Sequence, residues 1–254
     1  MPDRPGTERA GVLDRGGERL AWRAVDGAGP TVVWLGGFKS DMIGTKAAAL
    51  ADAAGARGWS FLRFDYAAHG ESSGRWEDAT IGRWRADALA VIDELTSGPL
   101  VLVGSSMGGW MACLAALERP ERVHALVLVA PAADFTEKLM RPRIPPEGLR
   151  ELELNGVWLE PSEYDEPLPI TRRLLDEGRE HLIMDGPIPI RCPVRILQGQ
   201  RDDPVPWEHA LKLADLLESE DVVFTLVKSG DHRMSGPRDL ARLVETVEAA
   251  RQGA

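Results

Sequence analysis

Short apolar, β-branched runs alternate along the chain with longer stretches in which apolar residues recur at helical spacing. The runs lie at Thr31 to Leu35, Trp59 to Asp65, Leu100 to Val103, Ala125 to Val129, Val194 to Gln198 and Val222 to Val227. Most are continuously apolar, the pattern of strands covered on both faces. Ahead of them, a turn at Gly16-Gly17 predicts an N-terminal hairpin. Helical spacing predicts helices over Lys46 to Ala56, Gly82 to Leu95, Met107 to Leu117, Trp207 to Glu218 and Pro237 to Ala250, the last opened by a proline suited to a first turn. This alternation predicts an α/β protein, with a mostly parallel central sheet and helices on both faces.

The alternation stops between Pro131 and Pro193, an interval that holds ten of the chain's 18 prolines and no β-branched run of useful length. Within it, Asp134 to Pro189 carries 13 acidic and 7 basic residues, a net −6 of the chain's −10. Leu139, Met140, Leu152, Trp158, Leu174, Leu175 and Met184 are scattered among those charges. The segment reads as a small helical lid, at about residues 134–189, inserted into one domain spanning 1–254, with Trp158 as a candidate substrate contact. A solvated connector is the competing reading, but a structureless stretch of this length is uncommon in a compact domain.

Composition narrows the function. The chain has 254 residues, 44% hydrophobic and 28% charged, enough to bury a sizeable core. Its 40 acidic residues outnumber the 30 basic ones, the opposite of a nucleic-acid footprint, so no nucleic-acid partner is expected. Two cysteines are too few for a disulfide framework or a thiolate metal cage, and suit a reducing compartment. The polar start, Met1 to Arg9, has no apolar core of an export signal, and no stretch approaches the roughly 18 apolar residues of a membrane span.

The sharpest chemical signal is Gly104-Ser105-Ser106-Met107-Gly108-Gly109, between an apolar strand and an apolar helix. It has the form of a nucleophile elbow, in which glycines let a serine sit in a tight strand-to-helix turn. Such a pattern arises by chance often enough that its context must carry it; otherwise it is a glycine-rich turn with a harmless serine. Met107 then offers a backbone N–H at a helix N-terminus, where developing negative charge is favoured.

A serine hydroxyl needs a base, and five histidines compete. His124 enters a strand, His181 lies in the insertion, His209 falls within a helix and His69 sits in a strand-exit loop as a loop-shaping residue. His232 follows the last strand and precedes the last helix, the position that returns an imidazole to the elbow's edge of the sheet. The base needs a carboxylate in turn. Asp202, just past Val194 to Gln198, is the first choice, with Asp134 and Asp203 as rivals.

The order Ser106, Asp202, His232 is that of α/β-hydrolases. With Arg63-Phe64-Asp65-Tyr66, Val103 to Trp110, Pro187 to Arg195, Val205-Pro206-Trp207 and Asp231-His232-Arg233-Met234, the chain resembles that superfamily, and within it the acyl-protein thioesterases and acyl-glucuronide esterases. The resemblance implies nucleophile Ser106, acid Asp202 and base His232. It also implies that Leu35-Gly36-Gly37-Phe38 supplies an oxyanion donor, the N–H of Phe38, beside that of Met107. Gly36 stands where many relatives have a histidine. Longer relatives carry a mitochondrial targeting extension that is not seen here, so a cytoplasmic setting is expected.

The expected function is a serine hydrolase cleaving carboxylic ester or thioester bonds through an acyl-enzyme, on a small molecule or an acylated cysteine of a protein. No metal or organic cofactor is called for. A peptidase, a C–C bond hydrolase, or a non-catalytic ligand-binding protein on the same fold are the alternatives.

Overall fold

The computed structural model describes residues 8–161 and 167–253; of the polar start, residues 1–7 lie outside these, as do residues 162–166 of the insertion. In chain order the strands are β1 (Glu8–Arg15), β2 (Glu18–Val25), β3 (Ala28–Leu35), β4 (Trp59–Phe64), β5 (Leu100–Ser105), β6 (Val123–Val129), β7 (Val157–Glu160), β8 (Leu168–Thr171), β9 (Val194–Gly199) and β10 (Val222–Val227). The helices are α1 (Thr45–Arg57), α2 (Ile81–Leu95), α3 (Met107–Glu118), α4 (Pro146–Asn155), α5 (Arg172–Gly178), α6 (Trp207–Leu216) and α7 (Pro237–Gln252).

Eight strands form one sheet in the order β1-β2-β4-β3-β5-β6-β9-β10. The hairpin of β1 and β2 joins antiparallel to β4, and β4, β3, β5, β6, β9 and β10 run parallel. The central runs are apolar because both faces are covered. Trp84 of α2, Trp110 of α3 and Leu213 of α6 pack on one face. Leu50 of α1 and Val247 of α7 pack on the other. Helix α3 is buried from Met107 through Ala116, as a helix that is apolar all round must be.

From β3 the chain steps to β4 on one side, then returns to β5 on the other. The loops leaving β3 and β5 therefore part at the carboxyl edge, where open α/β sheets receive ligands. Helix α6 stops at Leu216, two residues short of the sequence reading, because Leu217 turns extended and bridges to Ile188.

The insertion departs from the helical segment expected. Besides α4, α5 and short helical turns, it contains a two-stranded antiparallel pair, β7 with β8, which places Trp158 opposite Ile170. These four-residue strands escaped notice because Val157 is the only β-branched residue of one and Pro169 interrupts the other. Trp158 and Ile170 close a small separate core with Ile144, Leu152 and Leu175. The two ends of the insertion are fastened by Asp134, a buried residue whose carboxylate accepts the N–H groups of Ile183 and Met184, each at 2.9 Å.

Another buried carboxylate, Asp87 on α2, accepts the Ala67 N–H at 2.9 Å and pairs with Arg15 of the hairpin at 3.0 Å. Burial pushes it up to about 6, overriding the pull of both partners. A carboxyl raised in the folded state contributes most below its ordinary value near 3.9, and that contribution is lost as pH rises through about 6. Relative to Asp87→Asn, which does not titrate, the natural protein should lose melting temperature between pH 5 and pH 8. An equal difference between the two proteins at both pH values would mean that Asp87 is ionised throughout.

Candidate active site

Ser106 occupies the turn between β5 and α3 at φ 54°, ψ −119°, a left-handed conformation unusual for a residue with a side chain. The turn is tight because its glycines allow it. A Cβ at Gly104 would stand 2.3 Å from Gly108 O, and one at Gly108 would stand 2.0 Å from Leu35 O. The backbones of β5, α3 and the loop after β3 are thus in direct contact around the serine. The Ser106 N–H is tied to Val129 O at 2.9 Å, fixing the turn against β6.

His232, in the loop between β10 and α7, brings Nε2 to 3.1 Å from Ser106 Oγ. Its Nδ1 lies 2.9 Å from Asp202 Oδ2 and 3.1 Å from Oδ1. A carboxylate only accepts, so Nδ1 carries the proton and Nε2 is left to accept from the serine hydroxyl. The loops bearing Asp202 and His232 are joined by the Arg201 N–H donating to Gly230 O at 2.9 Å.

The Asp202 side chain is fully buried. Val205 N–H donates to Oδ1 at 2.7 Å and the Gln198 amide donates to Oδ2 at 3.0 Å. Gln198 also donates to Val205 O, so it holds both the carboxylate and the loop around it. Sequence reading passed over this residue; a glutamine at the end of the apolar run Val194 to Leu197 was the available signal. Of the rival acids, Asp134 fastens the insertion, whereas Asp203 is exposed and only its carbonyl is engaged, accepting from Arg143 at 2.8 Å.

The remaining histidines are placed elsewhere. His124 is exposed, His181 pairs with Glu177, and His209 donates to Ala133 O. His69 is buried beneath the loop after β3.

That loop crosses directly over Ser106, with the Cβ position of Gly37 3.4 Å from Ser106 Cβ. The Phe38 side chain is held edge-on to Trp76 and Trp84. Phe38 and Met107, with Ser106 and His232, border a cavity of about 350 Å³ whose apolar wall includes Phe135, Leu139, Met140 and Trp158. A second, more polar cleft of about 460 Å³ also borders Ser106, lined by Ser40, Asp41, Lys46, Arg233 and Ser235, which sequence reading did not anticipate. Burial lowers the Lys46 ammonium from its usual value, and that ammonium donates to Arg233 O.

A family model described as "alpha/beta hydrolase fold" matches residues 34–153. The bovine protein named "Palmitoyl-protein thioesterase ABHD10, mitochondrial" is 41% identical over 231 residues, 90% of this chain and 75% of its own. A crystal structure from Agrobacterium vitis S4 shares 43% identity with a TM-score of 0.90, covering 96% of this chain and 98% of that one. The structure of mouse ABHD10 shares 37% identity with a TM-score of 0.86, covering 94% and 97%. The expectation of a cytoplasmic setting is corrected here: the bovine protein and its mammalian counterparts are all named as mitochondrial. Identity at this level over nine-tenths of the length means that the chain belongs to the α/β hydrolase family and is an esterase-like enzyme within it.

Proposed function

We propose that the chain hydrolyses carboxylic esters and thioesters through an acyl-enzyme on Ser106. The observation that carries this reading is the continuous hydrogen-bonded series from Asp202 through His232 to Ser106 Oγ, opening onto an apolar cavity. In it, His232 takes the hydroxyl proton as Ser106 attacks the acyl carbonyl, and Asp202 stabilises the imidazolium. The N–H groups of Phe38 and Met107 hold the oxyanion. His232 returns its proton to the leaving group, and a water activated by the same imidazole releases the acid.

The unequal sides of the nucleophile support the division of the substrate. The apolar cavity takes the acyl chain, and the polar cleft accommodates the alcohol or thiol portion, including an acylated cysteine on a protein. The segment from about 134 to 189 is read as the lid of a single domain, with Trp158 contributing to the acyl wall. Esters and thioesters should outpace anilides, because an amine leaves only when protonated; a panel led by a peptide anilide would point to a peptidase instead.

Ser106→Ala should abolish labelling by a fluorophosphonate probe, and persistence of full labelling would remove Ser106 from its role. Asp202→Asn should cut kcat by roughly 10³ to 10⁴, since the unfavourable histidine tautomer is then stabilised. Asp134→Asn, by contrast, should keep kcat within about threefold while losing several degrees of melting temperature, the cost of a buried donor left unpaired being about 1–3 kcal/mol. The reverse pattern would transfer the acid's role to Asp134. For the acyl wall, Trp158→Ala should raise KM for p-nitrophenyl octanoate about tenfold, roughly 1.4 kcal/mol of lost apolar contact, and leave acetate within about twofold. Equal changes for both esters would make Trp158 a structural residue only.

A further inference from the structure

His69 lies outside the Asp202–His232–Ser106 series, yet it is buried at 4% exposure and both of its ring nitrogens are engaged. Its Nδ1 stands 3.1 Å from Ala67 O. A carbonyl can only accept, so Nδ1 bears the proton and Nε2 offers a lone pair. Into that lone pair the Lys39 backbone N–H donates at 3.1 Å. The ring is wedged against Tyr66, Trp76 and Trp84 at centroid distances of 5.8, 5.5 and 5.2 Å, which leaves it little room to turn.

Lys39 immediately follows the residue whose N–H is assigned to the oxyanion. It sits at φ 57°, a left-handed conformation that a lysine adopts only when its surroundings enforce it. The peptide plane on the other side of Phe38 is pinned as well. Gly37 O accepts from Ser40 N at 3.1 Å and from Ser40 Oγ at 2.8 Å, and in a trans peptide this fixes the opposite direction of the Phe38 N–H. One plane is therefore held by Ser40 and the next by His69, so Phe38 keeps no free backbone torsion. Further along, Met42 N–H donates to the Asp65 carboxylate at 2.7 Å, closing the same loop onto the β4 exit.

We propose that His69 is a positioning residue for the oxyanion hole, its bare Nε2 holding the Lys39 N–H so that the Phe38 N–H stays aimed at the reacting carbonyl oxygen. This rests on the assignment of Phe38 as an oxyanion donor. Its logic is that of a second imidazole kept neutral to accept from the backbone, while the first exchanges protons with substrate. Because the donor gains strength only as charge develops on the oxygen, loosening it lowers kcat and leaves ground-state binding alone.

The test compares two amides at position 69. A glutamine places its carbonyl oxygen near the Nε2 position and can accept the Lys39 N–H; an asparagine is too short to reach it. His69→Gln should keep kcat for p-nitrophenyl butyrate within about threefold, and His69→Asn should lose about tenfold or more with KM within about threefold. In the natural protein, long-range proton–nitrogen spectra should show His69 as the Nδ1–H tautomer at neutral pH, with the Lys39 amide exchanging slowly. A protonated Nε2, or full kcat in His69→Asn, would overturn the proposal, and the spectroscopic measurement decides even where a variant does not fold. Ser106-dependent fluorophosphonate labelling of the natural protein separates the two levels. With labelling intact, a failed variant comparison removes only the positioning role; without labelling, the hydrolase reading itself falls.

Discussion

The site depends on one steric constraint, the contact of three backbones around Ser106. Helix α3 begins so close to the end of β3 that no side chain fits at Gly108, where a Cβ would meet Leu35 O at 2.0 Å. The crossing at Gly104 is nearly as tight. These contacts bring the Ser106 turn and the loop from Gly36 to Lys39 to one point, although some seventy residues separate them in sequence. They also leave Ser106 in a left-handed conformation that costs roughly 1–3 kcal/mol and that the surrounding sheet must sustain. A larger residue at either glycine would push the Ser106 turn away from the loop after β3 before it affected any charge.

Around this point, buried carboxylates organise the loops. Asp65 takes the N–H groups of Met42 and Glu71, Asp87 that of Ala67, Asp134 those of Ile183 and Met184, and Asp202 that of Val205. Each cancels backbone donors that a buried loop would otherwise leave unpaired. Burial raises Asp65, Asp87 and Asp134 above the usual carboxylate range. Among these four, Asp202 alone also meets an imidazole, which sets it apart from the carboxylates that only fasten loops.

This shared pattern explains what could be read from the chain and what could not. The strands were legible because a doubly covered parallel sheet writes itself as apolar runs, and the elbow because its glycines are sterically compulsory. Asp134 stayed a rival to the preferred Asp202 because both follow a strand at the same edge of the sheet. Only the return of His232 from a loop thirty residues beyond Asp202 separates them, a contact that local sequence does not encode. The pair of β7 and β8 was hidden by brevity and by Pro169, and its stability comes from packing Trp158 and Ile170 into a core shared with the helices of the insertion. The glutamine that holds Asp202 stood out only as a polar end to an apolar strand, because its meaning lies in the two groups it bridges.

The difference between the two spaces beside Ser106 follows from the same topology. To one the insertion contributes Leu139, Met140 and Trp158, and to the other the loop after β3 contributes Ser40 and Asp41 and the first turn of α1 contributes Lys46. Phe38 borders both spaces, so a single residue stands between the more apolar one and the more polar one while its backbone belongs to the loop that crosses Ser106. Its ring is held by Trp76 and Trp84, and the same two tryptophans confine His69. The aromatic cluster therefore packs the wall of the apolar cavity against the loop that His69 holds, so that a change in either is felt through the other.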